Sequence, residues 1–286
     1  MSDRAIDTLK AHAPTDRCAC ATVITTPKYV IGAMVLGHSL RMQNWPHELV
    51  VFVTADVGTD ERQELLRVWD RVVEIEPIAN PNQRKELAFS SFATTYTKLR
   101  VWEQTEYAKL ILLDADTTVM GDLTDLLDRP DFAAGPCGTA CDQFNSGVMV
   151  LTPSQAVFED MLTQLSELGS YDGGDQGFLN SYFSDWYTGP GERRLPFSYN
   201  VPWLLAFYAK AWKRIEDEIK VIHYYGPQKP WQLKGETAYT ILTRVVRFMT
   251  SLEVVEPSPR ATWWNIHADM QKTLRAQAKA GLKRAG

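Results

Sequence analysis

Two carboxylates separated by one residue follow an apolar run in this sequence. Leu110–Leu113 is entirely aliphatic, and Asp114 and Asp116 come directly after it. Alternate side chains of an extended chain point the same way, so the two acids should converge. Because ligands of open α/β sheets bind at the carboxyl ends of strands, this pattern predicts a site for a hard divalent cation, Mn²⁺ or Mg²⁺. The alternative is a solvated strand end whose acids cap the next turn.

A second group with chemical potential is the motif His223-Tyr-Tyr-Gly226-Pro-Gln-Lys229-Pro-Trp231, which follows an apolar run. Histidine suits a third ligand position beside two carboxylates. Gly226 permits close approach of the backbone to a ligand, and Lys229 is a compact cation that suits a phosphate oxygen. The structural alternatives are a hydrogen-bonded core histidine and a solvated surface lysine.

Two further polar motifs contain glycine next to carboxylates, amides or a hydroxyl. They are Tyr171-Asp172-Gly-Gly-Asp175-Gln176-Gly and Phe144-Asn145-Ser146-Gly147. Asp175 precedes a helical pattern, so it either caps that helix or serves the active site. Asn145 and Ser146 could bind sugar hydroxyls, or they could close a turn before the apolar run at 148–151.

The first half of the chain alternates between strand and helix patterns, which supplies the elements that must position these residues. Apolar runs predict strands at 19–25, 49–54, 72–75 and 110–113. Amphipathic patterns predict helices at 27–43, where Thr26 would be the N-cap, and at 59–69 and 97–107. This alternation implies parallel strands joined by helices, an α/β fold with a Rossmann-like N-terminal half.

The second half is richer in glycine, proline and aromatic residues. It predicts loops at 135–147 and 185–203, and helices at 154–168, 238–252 and 263–284. No linker rich in proline, glycine or serine divides the chain, so we expect one domain with a mixed central sheet. Within it we expect a flexible N-terminus at 1–17, a catalytic core at 18–235 and C-terminal helices at 236–286.

Composition excludes several classes of protein. The 286 residues carry a net charge of −5 and are 45% hydrophobic, which excludes intrinsic disorder. No dense basic stripe precedes the last dozen residues, so we expect no nucleic-acid partner. The apolar runs are far shorter than the roughly 20 residues of a membrane helix, and residues 1–17 have no apolar core, so we expect neither a membrane partner nor a secretory signal. We therefore expect a cytoplasmic protein.

Six motifs, taken in order, give the chain a family resemblance. They are ITT-x-x-Y, TKL, LLDADT, FNSG, DGGDQG and HYYGPQKPW, spread over residues 20–235. This series closely resembles the glycogenin-like members of glycosyltransferase family 8. The resemblance implies a glycosyltransferase A-type fold, a UDP-sugar donor, a Mn²⁺ ion and transfer of a hexose, glucose or galactose, with retention of anomeric configuration.

The resemblance also implies roles for particular residues. Asp114, Asp116 and His223 would bind the metal. The donor contacts would be Ile24, Thr25, Thr26, Tyr29, Arg84, Lys98, Ala115, Gly226 and Lys229. The residues around the transferred sugar would be Asn145, Ser146, Asp172, Asp175 and Gln176, of which Asp175, Gln176 and Asp172 are the catalytic candidates. The segment before Lys98 is longer than in the family, and the loop at 26–29 is one residue shorter.

Two functions of other classes compete with this interpretation. A strand followed by D-x-D-x-T also opens phosphatases of the haloacid dehalogenase type, although there the motif lies near the N-terminus. A non-catalytic UDP-sugar-binding protein could share the fold.

Within the family, the choice is between a self-glucosylating glycogenin and an enzyme that extends a glycan or glycoprotein acceptor. An example of the second type is the cytoplasmic α-galactosyltransferase of protists that caps a protein-linked glycan. Glycogenins glucosylate a tyrosine of their own, and the corresponding segment here holds only Tyr208. Its apolar neighbours at helical spacing predict a packed or interface aromatic, so we expect an external acceptor. The high content of Trp and Tyr predicts a homodimer.

Overall fold

The computed structural model describes residues 16–81, 94–232 and 255–285 of the chain. The strands are β1 Cys18–Ile24, β2 Glu48–Val53, β3 Arg71–Glu74, β4 Lys109–Leu113, β5 Thr117–Val119, β6 Phe132–Pro136, β7 Phe144–Leu151, β8 Val201–Pro202 and β9 Val221–His223. The α-helices are α1 Val30–Met42, α2 Thr59–Leu65, α3 Gln155–Gln164, α4 Asp175–Tyr182, α5 Ala209–Ile215 and α6 Pro259–Ala285.

The central sheet has six strands in the order β3-β2-β1-β4-β7-β6. The first four in this order run parallel, and β7 and β6 run antiparallel to their neighbours. Buried apolar residues cover both faces of the sheet, which explains why β2 and β4 are continuous apolar runs rather than alternating ones. The predicted α/β fold with a Rossmann-like first half and a mixed sheet is confirmed.

A second sheet of three strands, in the order β5-β9-β8, stands at the carboxyl end of β4. Strand β5 begins directly after Asp116, and β9 pairs with it so that Thr117 lies opposite His223. The small sheet therefore carries a histidine from late in the chain to the end of the central strand.

The predicted loop at 135–147 is partly wrong, because both of its ends belong to strands. Gly135 lies within β6, where the register shifts after Ala134, and a Cβ atom there would lie only 2.6 Å from Cβ of Asn200. Gly147 lies within β7, close to His223. These glycines make room for neighbouring side chains, whereas the sequence pattern indicated turns.

Several predicted helices differ from the observed ones. The segment predicted as a helix at 97–107 forms a 3₁₀ helix at Thr95–Glu103. Thr26 precedes a short 3₁₀ turn at Pro27–Tyr29 and makes no side-chain capping bond. Helix α2 ends at Leu65 and not at residue 69. The helix predicted at 238–252 lies outside the described residues.

Tyr208 was predicted to be a packed or interface aromatic, and the structure contradicts the first alternative, since its side chain is not packed within this chain. It lies between a 3₁₀ helix at Trp203–Phe207 and α5, and it is 72% exposed. The break after Phe207 interrupts the helical spacing, so that Ala209 and Trp212 are buried and Tyr208 points outward. None of the described helices is both long enough and apolar enough to cross a membrane.

Candidate active site

Three potential metal ligands meet where the two sheets join. Asp114, Asp116 and His223 each offer a ligand atom, and these atoms lie within 4.8 Å of one another. Nε2 of His223 is 3.3 Å from Oδ1 of Asp116 and 3.9 Å from Oδ2 of Asp114. Two carboxylates and an imidazole form a donor set that suits a Mn²⁺-type cation, so the residues fit the metal that the sequence predicts.

The backbone fixes this cluster. The N–H of Tyr224 donates to the carbonyl oxygen of Asp116, and the N–H of Asp114 donates to the carbonyl oxygen of Gly147. Gly32 on α1 lies against the carbonyl of Ala115, where a Cβ atom would lie 2.6 Å from that oxygen. The Asp114–Asp116 turn is therefore held by β7, by the end of β9 and by α1.

Lys98 is a largely buried cation of the site. Its Nζ atom lies 2.8 Å from Oδ1 of Asp114 and 2.8 Å from Oδ2 of Asp175. Burial alone would lower the pKa of Lys98, but the two carboxylates outweigh it and hold that pKa well above its usual value. Burial in turn raises the pKa of Asp114, which Lys98 partly offsets. Lys98 thus joins the metal ligands to the DGGDQG motif.

Lys229 forms the second ion pair of the site, with Oδ2 of Asp116. Burial would raise the pKa of Asp116, but His223 and Lys229 hold it well below its usual range. Lys229 follows Gly226, whose φ of +104° lies in the left-handed region that favours glycine. That turn brings the ammonium group back over the carboxylates.

The side wall of the site consists of Asn145, Ser146, Asp175 and Gln176. The Ser146 hydroxyl donates to Oδ2 of Asp175 over 2.8 Å, and Nδ2 of Asn145 donates to Oε1 of Gln176 over 2.6 Å. Asp175 is the first residue of α4, but its side chain points to Lys98 and Ser146. The structure therefore brings the FNSG and DGGDQG motifs together.

Asp172 is placed differently from the other acids. Its Oδ1 atom accepts hydrogen bonds from the Ser170 hydroxyl and from the N–H groups of Gly174 and Gly177. These contacts shape the loop that leads into α4. The carboxylate of Asp172 therefore bonds within its own loop, whereas that of Asp175 bonds to Lys98 beside the metal ligands.

The candidate nucleotide contacts follow β1. Ile24 is buried, and the Thr25 hydroxyl accepts from that of Thr94 at 3.2 Å. The Thr26 hydroxyl is buried and, within the described part of the chain, has no hydrogen-bond partner. Tyr29 packs edge-on against Trp231, with ring centroids 5.7 Å apart. Arg84 lies outside the described residues.

The sequence interpretation missed Asn200. This residue is 1% exposed, and its side chain contacts both His223 and Asn145. It belongs to the run Leu195-Pro-Phe-Ser-Tyr-Asn200, which by sequence alone reads as loop. A buried asparagine cannot be told from a turn asparagine by its type, so only the pairing of β8 with β9 reveals its place.

Comparisons with known proteins agree with this geometry. The family model described as Glycosyl transferase family 8 matches residues 20–135 and 129–235. Human glycogenin-1 is 36% identical over 257 residues, which cover 87% of this chain and 71% of that protein. Inositol phosphorylceramide glucuronosyltransferase 1 of Arabidopsis thaliana is 35% identical over 235 residues, which cover 75% of this chain and 42% of that protein.

A solved structure extends the agreement to the fold. The apo form of glycosyltransferase GlyE from Streptococcus pneumoniae matches with a TM-score of 0.60 and 20% identity, over 93% of this chain and 64% of that one. At this identity the likeness concerns architecture alone. The chain has the glycosyltransferase A-type fold.

We predict that Gly147→Ala damages the site, because a Cβ atom there would overlap the His223 ring and lie 2.7 Å from its Nδ1. Overpacking of this kind costs about 1–3 kcal/mol of unfolding free energy, measurable by urea denaturation. Gly169→Ala is the matched control, since a Cβ atom there meets nothing within 4 Å. It should change stability by less than about 0.5 kcal/mol. Equal effects of the two substitutions would contradict the assigned contact.

Proposed function

We propose, from the fact that the chain belongs to glycosyl transferase family 8, that it transfers a hexose from a UDP-hexose to a glycan or glycoprotein acceptor with retention of configuration. That the chain is a glycosyltransferase follows from its family. Donor sugar, acceptor, metal and stereochemistry are the proposed part. One observation supports the metal and the reaction centre, namely that Lys98 joins a three-ligand cation cluster to Asp175.

Asp114, Asp116 and His223 would hold the divalent cation, for which we propose Mn²⁺, with Mg²⁺ as the alternative. Such an ion neutralises the charge that develops on a diphosphate leaving group. Lys229 adds a protein cation beside Asp116, and we assign it, with Gly226, to the diphosphate oxygens.

We assign Asp175 to the reacting carbon of the donor. Retention requires either a covalent intermediate on a carboxylate or attack from the leaving-group face. In both routes a nearby carboxylate stabilises positive charge on the anomeric carbon. Lys98 and the Ser146 hydroxyl fix the orientation of Asp175, and Gln176 and Asn145 offer amide groups to sugar hydroxyls. We assign Asp172 to the shape of the loop.

The remaining assignments extend the same proposal. Ile24, Thr25, Thr26 and Tyr29 would hold uracil and ribose, and the buried Thr26 hydroxyl suits a nucleotide partner. Arg84 and Ala115 complete the proposed donor contacts. We further propose a cytoplasmic homodimer with one catalytic domain, whose core spans 18–235 between an N-terminal segment at 1–17 and C-terminal helices at 236–286.

Family membership displaces the phosphatase alternative, because the DxD pair belongs to a matched glycosyltransferase region. Family membership likewise favours a glycosyltransferase over a non-catalytic UDP-sugar-binding protein. The following experiments therefore test catalysis and its ligands directly.

We predict that Asp116→Asn lowers sugar transfer about 10²–10³-fold, the scale expected when a preorganised charge-stabilising group is removed. Release of UDP with Mn²⁺ present measures the rate, and electron paramagnetic resonance of free Mn²⁺ measures metal binding. Chelation by EDTA should reproduce the loss in the unchanged protein. Asp60→Asn removes the same charge from an exposed position and should retain full activity. Full activity of Asp116→Asn, or of the protein in EDTA, would refute the metal assignment.

Donor preference is the second test. Lys98 is already shared between two carboxylates, so a third carboxylate on the donor sugar would be repelled. We predict that UDP-glucose or UDP-galactose binds at least about tenfold more tightly than UDP-glucuronate, a difference of roughly 1.4 kcal/mol. Calorimetric titration with Mn²⁺ measures this ratio, and Asp175→Asn should reduce it. Tighter binding of UDP-glucuronate or of a UDP-N-acetylhexosamine would contradict the hexose assignment.

Self-glucosylation is the second candidate function, and the exposure of Tyr208 favours it. The nearby Trp203 indole donates to the carbonyl of Tyr225, whose ring lies 5.2 Å from that of His223. Tyr208 is thus exposed and lies five residues after Trp203, which contacts the chain just after His223. Leu204 and Phe207 are each 40% exposed beside it, which equally suits an interface or an acceptor surface.

Intact-mass spectrometry separates the two candidates. After incubation with UDP-glucose and Mn²⁺, our main proposal predicts no added hexose on the protein, because transfer goes to an external acceptor. It also predicts near-normal transfer to such an acceptor by Tyr208→Phe. A ladder of hexose additions that disappears in Tyr208→Phe would instead establish self-glucosylation.

A further inference from the structure

Asn200 connects the metal cluster to the side wall of the site. Its Oδ1 atom is 2.9 Å from Nδ1 of His223, and its Nδ2 atom is 3.1 Å from Oδ1 of Asn145. The residue is almost completely buried, so neither end of the amide can exchange its partner for bulk water.

The direction of this amide follows from a backbone group. The N–H of Gly147 can only donate, and it donates to Oδ1 of Asn145 over 3.0 Å. Because Oδ1 of Asn145 is therefore an acceptor, the atom of Asn200 that faces it must be the NH₂ group. The carbonyl of Pro136, 3.5 Å from the same Nδ2 atom, is a second acceptor on that side. The amide oxygen of Asn200 consequently faces His223.

This orientation determines which ring nitrogen of His223 carries the proton. An amide oxygen beside Nδ1 requires an N–H there, so in the neutral ring Nε2 has the free lone pair. Nε2 is the atom that faces Asp114 and Asp116. A hydrogen bond that fixes the tautomer of a histidine ligand typically changes metal affinity by 10–100-fold when it is lost.

Two glycines make room for this arrangement. A Cβ atom on Gly135 would lie 2.6 Å from Cβ of Asn200, and one on Gly147 would lie 2.9 Å from Oδ1 of Asn145. The absence of a Cβ atom at these positions of β6 and β7 thus leaves space for the side chains of Asn200 and Asn145. On the side away from Asn200, Nδ2 of Asn145 donates to Oε1 of Gln176, whose Nε2 atom donates to the Tyr171 hydroxyl.

We propose that Asn200 is a positioning residue that holds His223 in the Nδ1–H tautomer, with Nε2 presented to a divalent cation. Through Asn145 it also couples the metal ligand to the residues beside the transferred sugar. The coupling through Asn145 rests on the proposed function, whereas the tautomer of His223 does not depend on it.

The tautomer can be read without metal, donor or activity. Two-bond ¹H–¹⁵N correlation spectra of the histidine-labelled protein show which ring nitrogens carry a proton. The chain has five histidines, and His223→Gln identifies the His223 signal by its loss. We expect a proton on Nδ1 of His223 in the unchanged protein, because the amide oxygen of Asn200 faces that atom. A ring that is protonated on Nε2 alone would overturn the proposal, whether or not any variant folds.

Three variants then test the cause. Asn200→Leu removes the amide at nearly constant volume, and we expect loss of the Nδ1–H preference and a 10–100-fold weaker Mn²⁺ affinity by electron paramagnetic resonance. Asn200→Asp keeps an oxygen acceptor for Nδ1 and should retain that tautomer. Asn180→Leu is the matched control, because that amide bonds to backbone atoms of Phe144 and Gln176. It should leave the His223 signal and Mn²⁺ affinity unchanged.

The outcomes separate this proposal from the proposed function. An unchanged tautomer and Mn²⁺ affinity in Asn200→Leu would overturn the positioning role even in an active transferase. The Nδ1–H tautomer, lost in Asn200→Leu and kept in Asn200→Asp, would support it even if the protein transferred no sugar.

Discussion

The buried ammonium group of Lys98 is the interaction on which the geometry of the site depends. Buried charges are tolerated when they are paired, and Lys98 is paired with Asp114 at the end of β4 and with Asp175 at the start of α4. Without this cation, two carboxylates from distant parts of the chain would face each other in a poorly solvated space. The same contact fixes the distance between the proposed metal site and the proposed reacting carbon.

The topology of the sheets supplies the partners of this ion pair. A parallel strand order delivers Asp114 to the carboxyl edge of β4, where α/β sheets bind ligands. The antiparallel return through β7 brings Asn145 and Ser146 beside it, and the short pairing of β5 with β9 returns His223 to Asp116. Each motif reaches the site through a different element, which explains why motifs more than one hundred residues apart form one cluster.

The sequence allowed the prediction of elements whose pattern is local. Strands β1, β2 and β4 are predominantly apolar runs, and the position of Asp114 and Asp116 directly after β4 could be predicted from them. The two acids converge through a turn, in which the N–H of Thr117 donates to the carbonyl of Asp114, and not through strand periodicity. Gly135 and Gly147 were misassigned to a loop, because their requirement for glycine comes from Asn200 and His223, which lie much later in the chain. The exposure of Tyr208 within the chain could not be predicted either, since a helical pattern does not show that a 3₁₀ helix ends at Phe207. Asn200 was missed because its importance lies wholly in tertiary hydrogen bonds.

The charges of the cluster nearly balance. Three carboxylates, Asp114, Asp116 and Asp175, face two ammonium groups, Lys98 and Lys229, and a histidine whose hydrogen bond to Asn200 leaves Nε2 as a ligand. The excess of one negative charge favours a cation, and a divalent ion would reverse the sign to an excess of one positive charge. That positive charge suits a diphosphate, so in the proposed reaction the metal and the nucleotide complement each other electrostatically. A neutral sugar then leaves this balance undisturbed, whereas a charged one would not.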